Sequence, residues 1–230
     1  MNGLINGWHP EIDWSTPAGE VLTRLCALIP ATTDATITLF GSAPLQLAID
    51  ASLKSNDVDL FTHGDPGWLE AIVHSAGLAK KEAAFYIQCC WEGNFRTSPR
   101  WRLRAARVRR GQVTIVLPHP IDILIAKLHR YEEKDRNAFL LVRDRTGHPT
   151  EEEMRAELQF AVDLYRPNFD EEVTGDITTN TLLMWQDLFG HDIDVRKEII
   201  APALARLRNG YEADLPGTDY RAELRRLSEG

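Results

Sequence analysis

Two aspartates, Asp57 and Asp59, stand at alternate positions in the apolar run DVDLFT. If this run is a β-strand, alternate side chains point to the same face, and the two Cα atoms lie about 6.6 Å apart. Two carboxylates this close repel each other unless a cation lies between them. Carboxylate pairs of this kind hold Mg²⁺ or Mn²⁺ in phosphoryl-transfer sites. The pair therefore predicts a metal site with a catalytic role, whereas the alternative is a solvated face on an edge strand.

A second short motif, Gly41-Ser42, follows the apolar run ITLF and precedes the helical pattern PLQLAIDASL. Glycine lets the backbone approach a ligand closely, and free N–H groups at the start of a helix attract phosphate. The motif therefore predicts a phosphate-binding turn to which Ser42 adds its hydroxyl. The alternative is an ordinary helix start with Ser42 as its cap.

Cationic side chains form a third pattern farther along the chain. Lys127, Arg130 and Lys134 are spaced i, i+3 and i+7, so on one continuous helix they share a face. Such a face suits a triphosphate beside a metal site. The same spacing is also typical of a solvent-facing helix surface.

Charge is distributed unevenly over the 230 residues. The net charge of −8 argues against a protein whose whole surface coats nucleic acid, because that affinity comes mainly from neutralising phosphates. Seven arginines and no acid occur between Arg96 and Arg110, in RTSPRWRLRAARVRR. This segment predicts a local surface for phosphate or RNA, although alternating arginines also keep an edge strand soluble.

Several classes of protein are disfavoured by what the sequence lacks. No apolar stretch approaches a membrane span, and the first residues do not form a signal peptide, so we expect a cytoplasmic protein with no membrane partner. The three cysteines fit a reducing compartment. There is no G-x-S-x-G elbow, P-loop, dinucleotide fingerprint or H-E-x-x-H. Phosphoryl-type transfer therefore remains the favoured chemistry.

The order of elements predicts an α+β protein in two parts. Short apolar runs alternate with helical patterns over residues 1–118, which is typical of a sheet domain, and residues 119–230 read as a helical domain. Strands are predicted at 35–40, 57–62, 84–91, 100–108 and 112–118. Helices are predicted at 18–28, 44–54, 67–77, 121–128, 182–189 and 195–207, with another after a capping box at Thr150 and Glu153 and a flexible loop at 166–176.

The motifs in this order resemble a known superfamily. Gly-Ser after an apolar strand, then a helix, then DVDLF, is similar to the nucleotidyltransferases that include DNA polymerase β. The segment PHPIDILIAKLHRYEEKDRNAF resembles the K…KD pattern of the AbiEii-like group, toxins of bacterial abortive-infection and toxin–antitoxin systems. The resemblance covers roughly residues 35–140 and implies a mixed-sheet nucleotidyltransferase core with an appended C-terminal helical domain.

The resemblance also implies a role for each motif. Gly41 and Ser42 match the pair that holds phosphates, and Asp57 and Asp59 match the catalytic, metal-binding carboxylates, with Mg²⁺ or Mn²⁺ as the metal. Three further residues match the groups that reach and organise the nucleotide phosphates: Lys127, Lys134 and Asp135.

The implied reaction transfers a nucleoside monophosphate from a nucleoside triphosphate to an acceptor. That acceptor is a tRNA or other RNA, a protein or a small molecule, and the segment Arg96–Arg110 favours a polyanion. Members of the superfamily carry a third carboxylate on a later strand, where the predicted strand 100–108 presents Arg102 and Arg104 instead. Glu92 is the nearby acid that would replace it. The alternative function is therefore a catalytically inactive binding module with the same fold.

Overall fold

The computed structural model describes residues 8–53, 55–81, 85–161, 164 and 176–208. These residues form an α+β protein built on one five-stranded mixed sheet, which confirms the predicted fold class at this level. The strands are β1 Thr36–Phe40, β2 Asp57–Thr62, β3 Tyr86–Cys89, β4 Ala106–Arg110 and β5 Val113–Leu117.

The strand order, β3-β2-β1-β5-β4, places β2 between β1 and β3. β2 is antiparallel to β1 and parallel to β3, β1 is parallel to β5, and β5 is antiparallel to β4. Asp59 lies opposite Phe40 of β1 and opposite Gln88 of β3. Since directly opposed side chains share a face, Asp57, Asp59, Phe40 and Gln88 all point to one side of the sheet.

Helices cover both sides of the sheet and make up most of the described residues that follow β5. Their bounds are α1 Pro17–Leu28, α2 Ala43–Ala48, α3 Pro66–Ser75, α4 Trp101–Arg104, α5 Pro120–Ala126, α6 Glu133–Thr146, α7 Glu151–Leu158, α8 Ile177–Phe189 and α9 Ala201–Arg208. Short 3₁₀ turns occupy Glu92–Asn94 and Lys127–His129, and a π-helical turn at Arg196–Ile200 precedes α9. The predicted capping box at Thr150 and Glu153 is present at the start of α7.

The predicted strands at 35–40, 57–62 and 112–118 coincide with β1, β2 and β5 within one residue at each end. The helix predicted to reach residue 54 ends instead at Ala48. It stops because the Asp50 carboxylate accepts the Ser52 N–H at 2.8 Å, which forms a turn that competes with the next helical hydrogen bonds.

The prediction of one strand over 100–108 is wrong, because this segment begins with the helical turn α4 and only then enters β4. Trp101 and Arg104 are both buried, and their i, i+3 spacing brings them to one side of the turn. The Trp101 ring packs edge-on against Phe61 of the sheet and against Phe95. The alternating arginines of this segment therefore do not lie along a single strand.

The hydrophobic core has two parts, one on each face of the sheet. On one face, α1 and α3 pack Leu22 and Leu69 against Ile37 and Leu60. On the other face, apolar side chains of the sheet join those of α5, α6, α7 and α8 in one continuous cluster. The boundary between a sheet domain and a helical domain at residue 118 stays a prediction, since residues from both sides share this core.

The sequence also predicts a flexible loop at 166–176 and no membrane-spanning segment. Most of the predicted flexible loop, residues 166–175, lies outside the described residues. Within the described part of the chain, no helix has the length and apolar character needed to cross a membrane.

Candidate functional site

Gly41 and Asp59 meet at the end of β1. Gly41 has a φ of 65°, a left-handed conformation that favours glycine. A Cβ atom at this position would collide with the carboxylate of Asp59, so the Asp59 side chain lies directly against the Gly41 backbone. Glycine is therefore required here for two reasons, its conformation and its small size, and both join the Gly-Ser turn to the paired aspartates.

Asp59 lies in an environment that opposes a negative charge. Burial and the charge of Asp57 raise the pKa of the Asp59 carboxyl to about 7, against the opposing influence of Lys127 and Arg130. Asp57 accepts hydrogen bonds from Ser55 Oγ at 3.1 Å and from Tyr86 Oη at 3.3 Å. The pair is thus an electrostatically strained arrangement that a bound cation would relieve.

Lys127 connects the helical half of the chain to the Gly-Ser turn. Its Nζ donates a hydrogen bond to Ser42 Oγ at 2.9 Å and forms an ion pair with Asp135 Oδ1 at 3.0 Å. Ser42 makes no side-chain capping bond to α2, so its hydroxyl is used for the contact with Lys127 and not as a helix cap. The structure thus brings together Ser42, Lys127 and Asp135, residues separated by up to 93 positions in the sequence.

Asp135 and Arg130 complete this cluster. Arg130 donates to both carboxylate oxygens of Asp135, each at 3.0 Å. Burial acts to raise the pKa of Asp135, but the hydrogen bonds and charges of Arg130 and Lys127 outweigh it and lower that pKa. Arg130 is a site residue that the sequence predicts only as part of a cationic face. The signal for it was its spacing of three residues from Lys127.

Lys134 lies apart from the cluster. Its side chain is 64% exposed, and Nζ pairs with Glu132 Oε2 at 3.3 Å. The expected common face for Lys127, Arg130 and Lys134 fails because the helix is not continuous. Tyr131 adopts a left-handed φ of 49°, and α6 begins only at Glu133, which turns Lys134 away from Lys127.

The strand beside the aspartates offers no third carboxylate in register with them. Tyr86 lies opposite Asp57, and Gln88 lies opposite Asp59. Glu92, in the turn after β3, forms an ion pair with Arg102. Among the described residues, no group of three or more His, Cys, Asp or Glu side chains is arranged to hold a metal.

The arginines of the segment Arg96–Arg110 serve different parts of the molecule. Arg104 is buried against Asp122 and Glu157, and Arg110 stacks on the Trp14 ring. The exposed positions of β4 are Arg107 and Arg109, of which Arg109 lies 3.7 Å from Asp34. The segment therefore does not form a single continuous cationic surface.

A cleft of about 360 Å³ opens beside Asp59 on the side of β3. It extends from the sheet to the turn that follows β3 and to the start of α3. The polar and aromatic side chains that line it are Asp59, Glu70, Gln88, Trp91 and Asn94, with Phe40 on its inner wall.

Comparison of the chain with models of protein families, with curated proteins and with solved structures finds no significant match.

Proposed function

We propose that this protein is a Mg²⁺-dependent nucleotidyltransferase that moves a nucleoside monophosphate from a nucleoside triphosphate to an acceptor hydroxyl. One observation carries the proposal. Lys127, from the helical half, hydrogen-bonds Ser42 in the turn where the Gly41 backbone lies against Asp59. A cation, a hydroxyl and two carboxylates therefore meet at one end of the sheet, as a metal-bound triphosphate requires.

The charges in this cluster favour phosphate. Two cations, Lys127 and Arg130, meet the buried carboxylate of Asp135 next to the aspartates, and Arg130 also lies 3.5 Å from the exposed Glu132. In the proposed complex, Lys127 and the Ser42 hydroxyl bind phosphate oxygens, and Asp135 with Arg130 keeps Lys127 in position. Fixed charges of this kind stabilise the charge that develops on the leaving pyrophosphate.

Asp57 and Asp59 fit a divalent cation, because hard oxygen ligands are those that Mg²⁺ prefers and the raised pKa of Asp59 shows that its charge lacks compensation. Mn²⁺ takes the same ligands. When bound, the metal would offset the negative charge of the triphosphate and polarise its phosphorus–oxygen bonds. The order β1, α2 and β2 within a mixed sheet supports the proposal, because the resemblance to nucleotidyltransferases implies this order.

The resemblance to AbiEii-like proteins extends the proposal to a biological role as a toxin in an abortive-infection or toxin–antitoxin system. A toxin of this kind modifies an RNA or a protein that growth requires. Induced expression of the wild-type chain should then arrest bacterial growth, whereas the Asp59→Asn variant at equal protein level should not. Equal growth of both cultures would remove the toxin role.

Transfer of label from α-³²P nucleotides tests the proposed reaction. Each of the four triphosphates is incubated with Mg²⁺, the protein and either cellular RNA, cellular protein or a small-molecule extract. We expect label in one acceptor class with the wild-type protein and none with Asp57→Ala or Asp59→Ala. Label transfer that survives both substitutions would contradict the assignment of these carboxylates.

A second candidate is a non-catalytic nucleotide-binding module, favoured by the amide of Gln88 at the position opposite Asp59. A module of this kind would bind a triphosphate through Lys127 and Ser42 without turnover. Calorimetry with ATP, GTP, CTP and UTP, with and without Mg²⁺, separates the two. An enzyme should bind its nucleotide more tightly with Mg²⁺, whereas equal affinity in both buffers together with absent transfer would favour the module.

A further inference from the structure

We propose that a cavity between the end of α1 and the β4–β5 hairpin binds a small amphipathic monocarboxylate, which is a carboxylic acid with an apolar body. The inference goes beyond the proposed function, because the residues of this cavity lie on the side of the sheet opposite to Asp59. It follows from the volume of the cavity, from one guanidinium held beside it and from the apolar character of its wall.

Two hydrogen bonds hold the hairpin against α1 and frame the cavity. Arg110, the last residue of β4, donates from Nη2 to Thr23 Oγ1 at 3.3 Å. Gln112, after the turn at Gly111, donates from its side-chain amide to the carbonyl oxygen of Ile29 at the C-terminal end of α1. The cavity beside these contacts has a volume of about 490 Å³, which is within the range of small-molecule sites.

The guanidinium of Arg110 is the charged group of this cavity. Val113 lies opposite Arg110 in the β4–β5 ladder and belongs to the core on the α1 side, so the Arg110 side chain points to that side as well. The guanidinium lies 4.6 Å from the centre of the Trp14 ring, and among the described residues no carboxylate forms an ion pair with it. The Trp14 ring and the Thr23 hydroxyl thus fix its position, while further N–H donors remain for a ligand.

The charges around the cavity favour an anion. The described residues that line it include no Asp or Glu, and Arg110 is their only cation. The carbonyl groups at the end of α1 oppose an anion with roughly half a unit of charge, which is less than the full charge of the guanidinium. Burial raises the pKa of the Cys26 thiol, on the cavity wall, to about 11, and the charge of Arg110 opposes this rise. The positive charge of Arg110 therefore reaches the wall of the cavity.

The wall of the cavity selects an anion with an apolar body. Leu28, on this wall, is 47% exposed, so apolar surface is available to a ligand. An inorganic phosphate would meet one cation and would gain nothing from the apolar wall. A monocarboxylate pairs its single charge with Arg110, and its hydrocarbon part gains from burial. The apolar wall consists of Cys26, Ala27, Leu28, Ile29, Pro30 and Ala31.

Calorimetry and ligand-observed NMR with octanoate, below the concentration at which it forms micelles, test the inference. The matched control ligands are 1-octanol, which keeps the apolar body without the charge, and acetate, which keeps the charge without the apolar body. Neither nucleotide nor metal is present, so the result does not depend on nucleotidyl transfer. Urea denaturation establishes that each variant is folded before binding is measured.

Three variants locate the bound octanoate. Arg110→Met removes the charge, and Ala27→Trp fills the cavity from an exposed position on its rim without changing Arg110. Arg109→Met is the matched control, because Arg109 is the neighbouring residue of β4 and points to the opposite side of the sheet. If Arg110→Met does not fold, Ala27→Trp still tests the location of the site.

We expect octanoate to bind at least about tenfold more tightly than 1-octanol or acetate, because a hydrogen bond to a charged group adds to the burial of the chain. Arg110→Met and Ala27→Trp should each lose at least about tenfold in affinity for octanoate, and Arg109→Met should stay within about twofold of the wild type. Equal affinity for octanoate and 1-octanol, or octanoate affinity that neither cavity variant lowers, would overturn the inference. Inorganic phosphate that binds more tightly than octanoate and is lost in Arg110→Met would also overturn it, in favour of an inorganic anion.

Discussion

Two ion-pair clusters lie on the helical side of the sheet, and they differ in exposure to solvent. The closed cluster consists of Arg104, Asp122 and Glu157, whose side chains are at most 1% exposed. The open cluster consists of Lys127, Arg130 and Asp135, in which the Arg130 side chain is 30% exposed. In the closed cluster the Arg104 guanidinium meets two buried carboxylates, and Arg100 lies 3.9 Å from one of them, Glu157. In the open cluster two cations meet the buried Asp135, and Arg130 also pairs with the exposed Glu132.

The difference in exposure separates a structural contact from the proposed binding site. Arg104 joins α4 to α5 and α7, and Thr97 and Ser98 add hydrogen bonds to its carboxylate partners at 3.3 and 3.0 Å. A cluster this enclosed has no access for a ligand. The open cluster contacts Ser42 beside the paired aspartates, and its Arg130 side chain reaches solvent.

The largest expected effect comes from breaking the closed cluster. Arg104→Met leaves Asp122 buried without a cation and leaves Glu157 with only Arg100 at 3.9 Å, which should lower the free energy of unfolding by about 3–5 kcal/mol. Urea denaturation measures the loss. Arg109→Met is the matched control, since its side chain is 67% exposed and it should change stability by less than about 0.5 kcal/mol. Equal losses of unfolding free energy in Arg104→Met and Arg109→Met would contradict a structural role for the closed cluster.

Breaking the open cluster should affect activity more than stability. Lys127→Met removes the group proposed to bind the triphosphate, whereas Asp135 keeps both hydrogen bonds from Arg130. We expect nucleotidyl transfer to fall by about 10²–10³-fold, the usual cost of losing a charge-stabilising donor. Steady-state kinetics with the exposed Lys134→Met as control measure this. A loss of the same size in Lys134→Met would contradict the placement of the site.

The paired aspartates should reduce stability at neutral pH, unlike the closed cluster. The pKa of Asp59 is about 7 in the folded state, against 3.8 as its ordinary value. Between these values the folded state holds a proton that the unfolded chain has lost, so stability falls as pH rises through this window. Without metal, Asp59→Asn should therefore stabilise the protein by about 2–4 kcal/mol at pH 8 and by little at pH 4.

Urea denaturation in the presence of a chelator, at both pH values, measures this effect. Added Mg²⁺ should reduce the difference at pH 8, because a bound cation compensates the Asp59 charge in the wild-type protein. A destabilised Asp59→Asn protein at pH 8 would contradict the electrostatic account.

The smallest expected effect concerns Glu92, the acid considered as a third carboxylate. It forms a surface ion pair with Arg102 and is 46% exposed. Glu92→Gln should change the free energy of unfolding by less than about 0.5 kcal/mol and leave the transfer rate within about twofold of the wild type. If Glu92→Gln lost as much transfer activity as Asp59→Asn, Glu92 would be a residue of the metal site.

Local patterns were sufficient to predict the strands β1, β2 and β5 and most residues of the candidate site. Physical causes within a few residues explain the glycine at a positive φ and the alternating aspartates. The same is true of the three-residue spacing between Lys127 and Arg130. Which strand lies next to the aspartates is a long-range property, however. The pairing of Gln88 with Asp59 depends on the strand order, which no local pattern encodes.

The break before α6 shows a second limit. Tyr131 is not a residue type that favours a left-handed φ, so the sequence pattern predicted a continuous helix. Tertiary contacts hold it there, since its hydroxyl donates to Asp187 at 2.7 Å and its ring packs edge-on against Phe139. These partners belong to later helices, and their arrangement could not be predicted from the segment itself.

The most direct test of the central claim compares two labels of the same nucleotide in one experiment. The preferred triphosphate, labelled at either the α- or the γ-phosphate, is incubated with Mg²⁺ and its acceptor. The account predicts acceptor labelled from the α-position only, release of pyrophosphate in equal amount, and loss of both in Asp57→Asn and Asp59→Asn. Label transferred from the γ-position, or α-label transfer that continues in both variants, would contradict nucleotidyl transfer at this site.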